Sequence, residues 1–285
     1  MRVANVAGRL ALVDQTGYVD VSELSKGRFG PDPQAVYDDW DAFNDWAHGV
    51  DLPAGDGYDP AELGPPAPAP RQVFAIGLNY RDHAAESGFV VPTTLSVFTK
   101  YPASFTGPHG DISLPEGGTT DWEVELVVVI GKKADRVQSE SAWGHVAGLT
   151  VGQDLSERTL QTLGSAPQYS LAKSYPGFAP SGPWLVTTDE FPDADDLGLG
   201  CILNGEKVQS ARTSELVVSV PELISRISHV LPLFAGDVIF TGTPAGVGFS
   251  RHPQRFLEPG DELVSYVEGI GEMKHQFVRG HRQKG

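Results

Sequence analysis

Apolar positions along the 285-residue chain fall mostly into short runs punctuated by 33 glycines and 22 prolines. That pattern predicts many short strands and turns rather than long helices. RVANV, RLALVD and YVDVSEL read as strands in the first segment. PQAVYDDWDAFNDWAHG then sets Val36, Trp40, Phe43 and Trp46 at helical spacing, an amphipathic helix whose tryptophans pack. The connector GPPAPAP, Gly64–Pro70, marks a domain boundary, with a small N-terminal domain over 1–70 and a larger one over 71–285.

Beyond the connector, VFAIGLN is a strand leading into YRDHAAESG, a short helix with Asn79 as its cap and Gly88 at its end. Further apolar runs follow in SVFTKYP and HVAGLTVGQD, the latter giving way to a polar helical segment, LSERTLQTL. LGCILNGEKVQS carries Asn204-Gly205 between alternating runs, a type I′ hairpin signal. VPELISRISHVLPL is the clearest amphipathic helix, with Ser219 as cap and Pro221 in its first turn. DVIFTGTPAGVG is a strand followed by a glycine-rich loop, and PGDELVSYVEGIGEMKHQFVRG a closing hairpin. Regular β-α-β alternation is absent, which argues against a doubly wound sheet. The pattern predicts a mostly β (α+β) fold, rolled or barrel-like, with few helices.

One run breaks the grammar. In DWEVELVVVIG the residues after Glu125 read as a strand buried on both faces, yet Glu123 and Glu125 stand two apart at its mouth. In a strand that spacing points both to one face, about 7 Å apart. Two like charges beside a buried run need a compensating partner. Asp154, where the next apolar run ends, could join them. An all-oxygen set suits a hard cation, Mg²⁺ or Mn²⁺; a solvated strand face paired with Lys or Arg is the alternative.

Charge and composition narrow the partners. A net charge of −16 argues against nucleic acid or an anionic membrane as a bulk partner but permits a small anion held by a local cation. Cys201 is the single cysteine, so neither an intramolecular disulfide nor a cysteine zinc site is available. No stretch approaches ~20 consecutive apolar residues, and the first residues lack an unbroken apolar core, so the cytoplasm is the expected location.

Three further groups carry possible chemistry. His83 and Glu86, at i and i+3, lie on one side of the short helix, as surface decoration or as a water-activating pair. Arg158 and Gln161 repeat that spacing just past Asp154 and could grip a keto acid. Lys173 sits in a Gly- and Pro-rich loop, either at the surface or aimed at an anion. TGTPAGVG lacks the GKS or GKT of a phosphate loop, although its amides and the Thr243 hydroxyl could hold a carboxylate. GxSxG, HExxH and GxGxxG are absent.

In order along the chain, IGLNYRDHAAE, FTKYPASFTGP, DWEVELVVVIGK, GLTVGQDLSER, LAKSYPGFAPSGPWLV and GDVIFTGTPAGVG resemble the fumarylacetoacetate hydrolase family. The likeness runs from about Gln72 to the C-terminus and favours acylpyruvase-like or 2-hydroxyhepta-2,4-diene-1,7-dioate isomerase-like members. It implies a mixed β-sandwich roll with a few peripheral helices and a small N-terminal α+β domain, usually in a homodimer. It also implies Glu123, Glu125 and Asp154 as ligands of Mg²⁺ or Mn²⁺, His83 and Glu86 as a water-activating dyad, and Arg158, Gln161, Lys173 and Thr243 around a keto acid. Many members read KSFD where this chain has Lys173-Ser174-Tyr175-Pro176, which touches substrate choice. The expected activity is metal-dependent hydrolysis of a carbon–carbon bond in a 2,4-diketo acid, an acylpyruvate or sugar-acid derivative. Decarboxylation of oxaloacetate or another β-keto acid, or dienoate isomerisation or hydration, are the alternatives; a non-catalytic metal-dependent binding protein is a distant one.

Overall fold

The Val124–Ile130 strand is buried at every position, and its two faces enter different cores. Leu126, Val128 and Ile130 join an apolar cluster with Leu199, Cys201, Leu263, Met273 and Phe277. Val127 and Val129 join a second one with Val36, Trp40, Phe43 and Phe240. A strand covered on both sides needs no polar alternation, which explains the unbroken run. Each such side chain contributes roughly 1.5–3 kcal/mol on burial.

The computed structural model describes residues 1–14 and 17–280. Strand content of 34% against 23% helix makes sheets the frame. Val124–Ile130 pairs antiparallel with Val146–Gln153 on one side and with Val238–Phe240 on the other. Val73–Gly77 follows, parallel to Val238–Phe240. Beyond Val146–Gln153 come Ala179–Val186 and then Arg2–Val6, with Arg2 opposite Val186. Strands of the first seventy residues thus extend the same 11-stranded sheet. The Trp40–His48 helix lays Trp40 and Phe43 over the Val127 face. At Gly152 a Cβ would stand 2.4 Å from Val127 Cγ2 and 2.8 Å from Phe240, so only glycine lets the paired strands keep these large neighbours.

A five-stranded sheet faces the first across the larger core. Its Gly198–Leu203 and Glu206–Arg212 hairpin turns at Asn204 and Gly205, with φ of 51° and 85°, as the sequence predicts. Glu262–Val267 and Gly271–Arg279 form the closing hairpin. No described helix is long and apolar enough to cross a membrane.

Three local expectations change. The YVDVSEL run is strand only over Tyr18–Asp20; Asp20 then accepts from the Glu23 N–H and caps a short helix, Val21–Leu24. Asn79 does not cap Arg81–Glu86, whose cap position is Tyr80. Its carboxamide instead donates to the carbonyls of Val218 and Thr241 and accepts from Val218 N–H, tying three segments together. The polar segment after Asp154 is helical only over Arg158–Gln161, because Ser156–Glu157 bridges to Thr120–Asp121.

Candidate active site

Glu123, Glu125 and Asp154 each offer an oxygen within 4.8 Å of the others, and all three are buried. The pairing of two adjacent strands brings them together. Glu123 immediately precedes the Val124–Ile130 strand and Asp154 immediately follows Val146–Gln153. The Asp154 N–H donates to the Glu123 carbonyl at 2.8 Å, continuing the ladder past the strand ends.

Cations surround the set. Arg158 donates from Nε to Asp121 at 2.7 Å, from one terminal nitrogen to Glu123 at 2.6 Å and from the other to Gln161 at 2.9 Å. Lys173 Nζ donates to Glu123 at 2.6 Å and to Asp154 at 2.7 Å. Lys100 Nζ, wholly buried, donates to Asp154 at 2.6 Å and to the carbonyl of Lys173. Burial works against the Glu123 charge, but Lys173 and Arg158 outweigh it and hold its carboxyl well below the usual range. Burial pushes Lys100 down in spite of Asp154, whereas Asp154 and Glu123 overcome burial at Lys173 and raise it. Among the described residues no cation donates a hydrogen bond to Glu125, and the charge of Lys173 only partly offsets its burial. Burial, reinforced by the charges of Asp154 and Glu123, drives its carboxyl well above the ordinary value.

Four carboxylates, counting Asp121, therefore meet three cations, and the uncompensated charge falls on Glu125. A hard divalent cation fits that donor set: three buried carboxylates at close range, oxygen only, with a net negative charge. Glu123, Glu125 and Asp154 are the residues that would hold it.

The loop after Phe240 joins this floor to the second constellation. Gly242 N–H donates to Glu125 at 2.7 Å. The Thr243 hydroxyl donates to the Val124 carbonyl at 2.9 Å and accepts from Gln209 at 2.8 Å. Gly246 N–H donates to one oxygen of Glu86 at 2.9 Å, and the other oxygen lies 2.9 Å from His83 Nδ1. That network assigns the Nδ1 proton to the Glu86 side and leaves Nε2 as the basic nitrogen.

A cavity of about 280 Å³ collects His83, Glu123, Arg158, Gln161, Lys173 and Thr243 on its wall. Glu86 stands behind His83, and Glu125 and Asp154 behind Glu123. The Arg158 bonds go to protein groups, and because Gln161 Oε1 accepts one of them, donation from Gln161 can come only from its NH₂ end. Tyr175, in the departure from KSFD, packs 5.2 Å from Phe178 and stays off the cavity wall. Sequence reasoning missed Lys100, Asp121 and Gln209. A signal for Asp121 existed, since Asp121, Glu123 and Glu125 alternate at period two.

Comparison with known proteins bears on what this arrangement is. The model of the fumarylacetoacetate (FAA) hydrolase C-terminal domain matches residues 72–278. The chain belongs to the fumarylacetoacetate hydrolase family. It is 41% identical over 214 residues to the human mitochondrial oxaloacetate tautomerase FAHD2A, covering 75% of this chain and 68% of that one. An HpcE-like protein from Mycobacterium smegmatis is 54% identical, with a TM-score of 0.95 over 99% of this chain and 100% of its own. Maleylpyruvate hydrolase from Sphingobium sp. SYK-6, solved with manganese(II) and pyruvate, is 27% identical, with a TM-score of 0.78 over 99% and 100% of the two chains. Family enzymes of this fold thus include hydrolases as well as tautomerases and isomerases.

Proposed function

We propose that this protein is a Mg²⁺- or Mn²⁺-dependent hydrolase that cleaves a carbon–carbon bond in a 2,4-diketo acid of the acylpyruvate type. The observation that carries the reading is the His83–Glu86 pair, whose histidine shares a cavity with Glu123. Glu86, fixed by Gly246 N–H, holds the imidazole in the tautomer that presents Nε2 as base. His83 takes a proton from water as the water oxygen bonds to the C4 carbonyl carbon. The C3–C4 bond then breaks, releasing a carboxylic acid, and its electron pair remains on C3 as the enolate of pyruvate. The proton held by His83 returns to C3. Gln161 donates its amide N–H to the keto-acid head, and Lys173 supplies positive charge there. Glu123, Glu125 and Asp154 would hold a divalent cation, which would supply Lewis acidity at the keto-acid end of the substrate.

A second reading, keto–enol tautomerisation of oxaloacetate, is favoured by the name of the 41%-identical relative. It uses the same histidine to move a proton between C3 and oxygen without attacking water. The test follows pyruvate formation from acylpyruvates, and keto–enol exchange of oxaloacetate, with Mg²⁺ and with EDTA. Pyruvate production abolished by EDTA and by Glu86→Ala supports the hydrolase. Metal-dependent exchange without diketone cleavage overturns it in favour of the tautomerase. A homodimer is proposed on the same family basis, with light scattering as its check.

A further inference from the structure

Within the hydrolase reading, on which the inference rests, the chemistry of the cavity wall selects the acyl half of the substrate. Two side chains with a permanent cationic charge, Arg158 and Lys173, line the cavity. Both are committed to buried carboxylates: Arg158 to Asp121 and Glu123, Lys173 to Glu123 and Asp154. Each also has an aromatic ring against it, Phe249 at 5.8 Å from Arg158 and Phe98 at 5.0 Å from Lys173. Apart from Glu123 and His83, the rest of the wall is apolar or uncharged, with Phe89, Tyr169 and Val247 among its aromatic and aliphatic part. A second carboxylate entering beside these rings would meet no uncommitted cation among the described residues, and the acidic floor would repel it. Desolvating an unpaired carboxylate is strongly unfavourable, whereas an apolar group gains from the same wall.

We propose that the acyl portion of the substrate is uncharged and apolar, aromatic or branched aliphatic, and that the site discriminates against dicarboxylic keto acids. At about 280 Å³ the cavity lies near the small end of the ~300–1,000 Å³ typical of ligand sites, which limits the acyl group to about one ring.

Binding of uncleavable 2-keto acids tests this separately from catalysis. The Mg²⁺-loaded full chain is titrated calorimetrically with 2-oxo-4-phenylbutyrate and with 2-oxoglutarate, which share the keto-acid head and differ in the distal group. The phenyl compound is expected to bind at least about tenfold more tightly. Equal or tighter binding of 2-oxoglutarate overturns the inference while leaving the keto-acid reading intact. Binding of neither removes both. Phe89, 57% exposed, can be changed without disturbing the core. Phe89→Arg places a cation on the wall and is expected to raise 2-oxoglutarate affinity several-fold relative to that of 2-oxo-4-phenylbutyrate. An unaltered ratio in that variant contradicts the assignment of Phe89 to the acyl wall.

Discussion

Glu123 and Asp154 are joined twice: through the Asp154 N–H donated to the Glu123 carbonyl at 2.8 Å, and through Lys173, which bridges their carboxylates at 2.6 and 2.7 Å. Backbone pairing fixes where the carboxylates start and the ammonium fixes where they end. Glu125, the third member, is held from the other side by Gly242 N–H.

Metal dependence should therefore be read most clearly at Glu125. Its carboxyl lies well above the ordinary 4.5, through burial first and the neighbouring carboxylates second. The native protein then binds this proton more tightly than the unfolded chain, so without a cation stability falls as pH rises above that value. Glu125→Gln should unfold at higher temperature than the parent in EDTA at mildly alkaline pH, and should gain nothing from Mg²⁺ or Mn²⁺. Thermal unfolding with and without metal measures both effects; a parent protein indifferent to either metal would refute the site.

Replacing His83 or Glu86 should separate chemistry from folding. Loss of a positioned general base lowers turnover by about 10²–10⁴-fold. His83→Gln and Glu86→Gln should show that loss in single-turnover cleavage while metal affinity changes little. A parallel collapse of metal binding would indicate that the pair supports the floor instead.

Lys100 should prove structural in spite of its place beside Asp154. It is wholly buried and donates to Asp154 and to the Lys173 carbonyl. Breaking one side of a buried ion pair costs ~3–5 kcal/mol, and Lys173 still covers Asp154, so about 3 kcal/mol is expected for Lys100→Met. Urea denaturation with metal absent reads this; a loss well under 1 kcal/mol would show the pair to be dispensable.

Acid stability should carry the signature of His275. Burial pushes its imidazole down to about 4, although its Nε2 contacts the Gly107 carbonyl at 3.0 Å. The unfolded chain takes the proton near pH 6.5 and the native one near 4, so the contribution is full above 6.5 and is lost as pH falls between these values. The size is roughly 3 kcal/mol at most. Urea midpoints of the parent should fall across that window more steeply than those of His275→Gln, and identical slopes would dismiss the assignment.

Much of this was legible because it is local. The unbroken apolar run after Glu125, the Asn204-Gly205 turn and the i,i+3 spacing of His83 and Glu86 are properties of a few adjacent residues. Lys100 was not legible as a partner of Asp154, because only the fold brings positions 54 residues apart into contact. Asn79 misled for a related reason: a good helix cap by composition, it is used to tie Val218 and Thr241 together. Arg158 reads as a substrate clamp in one dimension, while in three its guanidinium is matched to Asp121, Glu123 and Gln161.

The loop from Thr241 to Gly248 has one more consequence. Gly242 N–H holds Glu125 and Gly246 N–H holds Glu86, so two amides four residues apart set the span from the acidic floor to the histidine. Gly246 has φ of 109°, and a Cβ there would lie 2.1 Å from the Val208 carbonyl, so this length of main chain is locked. On the proposed hydrolase reading it would work as a ruler, setting how many carbons separate the anchored end of a substrate from the atom that water attacks. Because the graduations are peptide N–H groups, exchanging side chains elsewhere in the loop leaves the span in place, whereas changing the number of residues between those two glycines would move the mark.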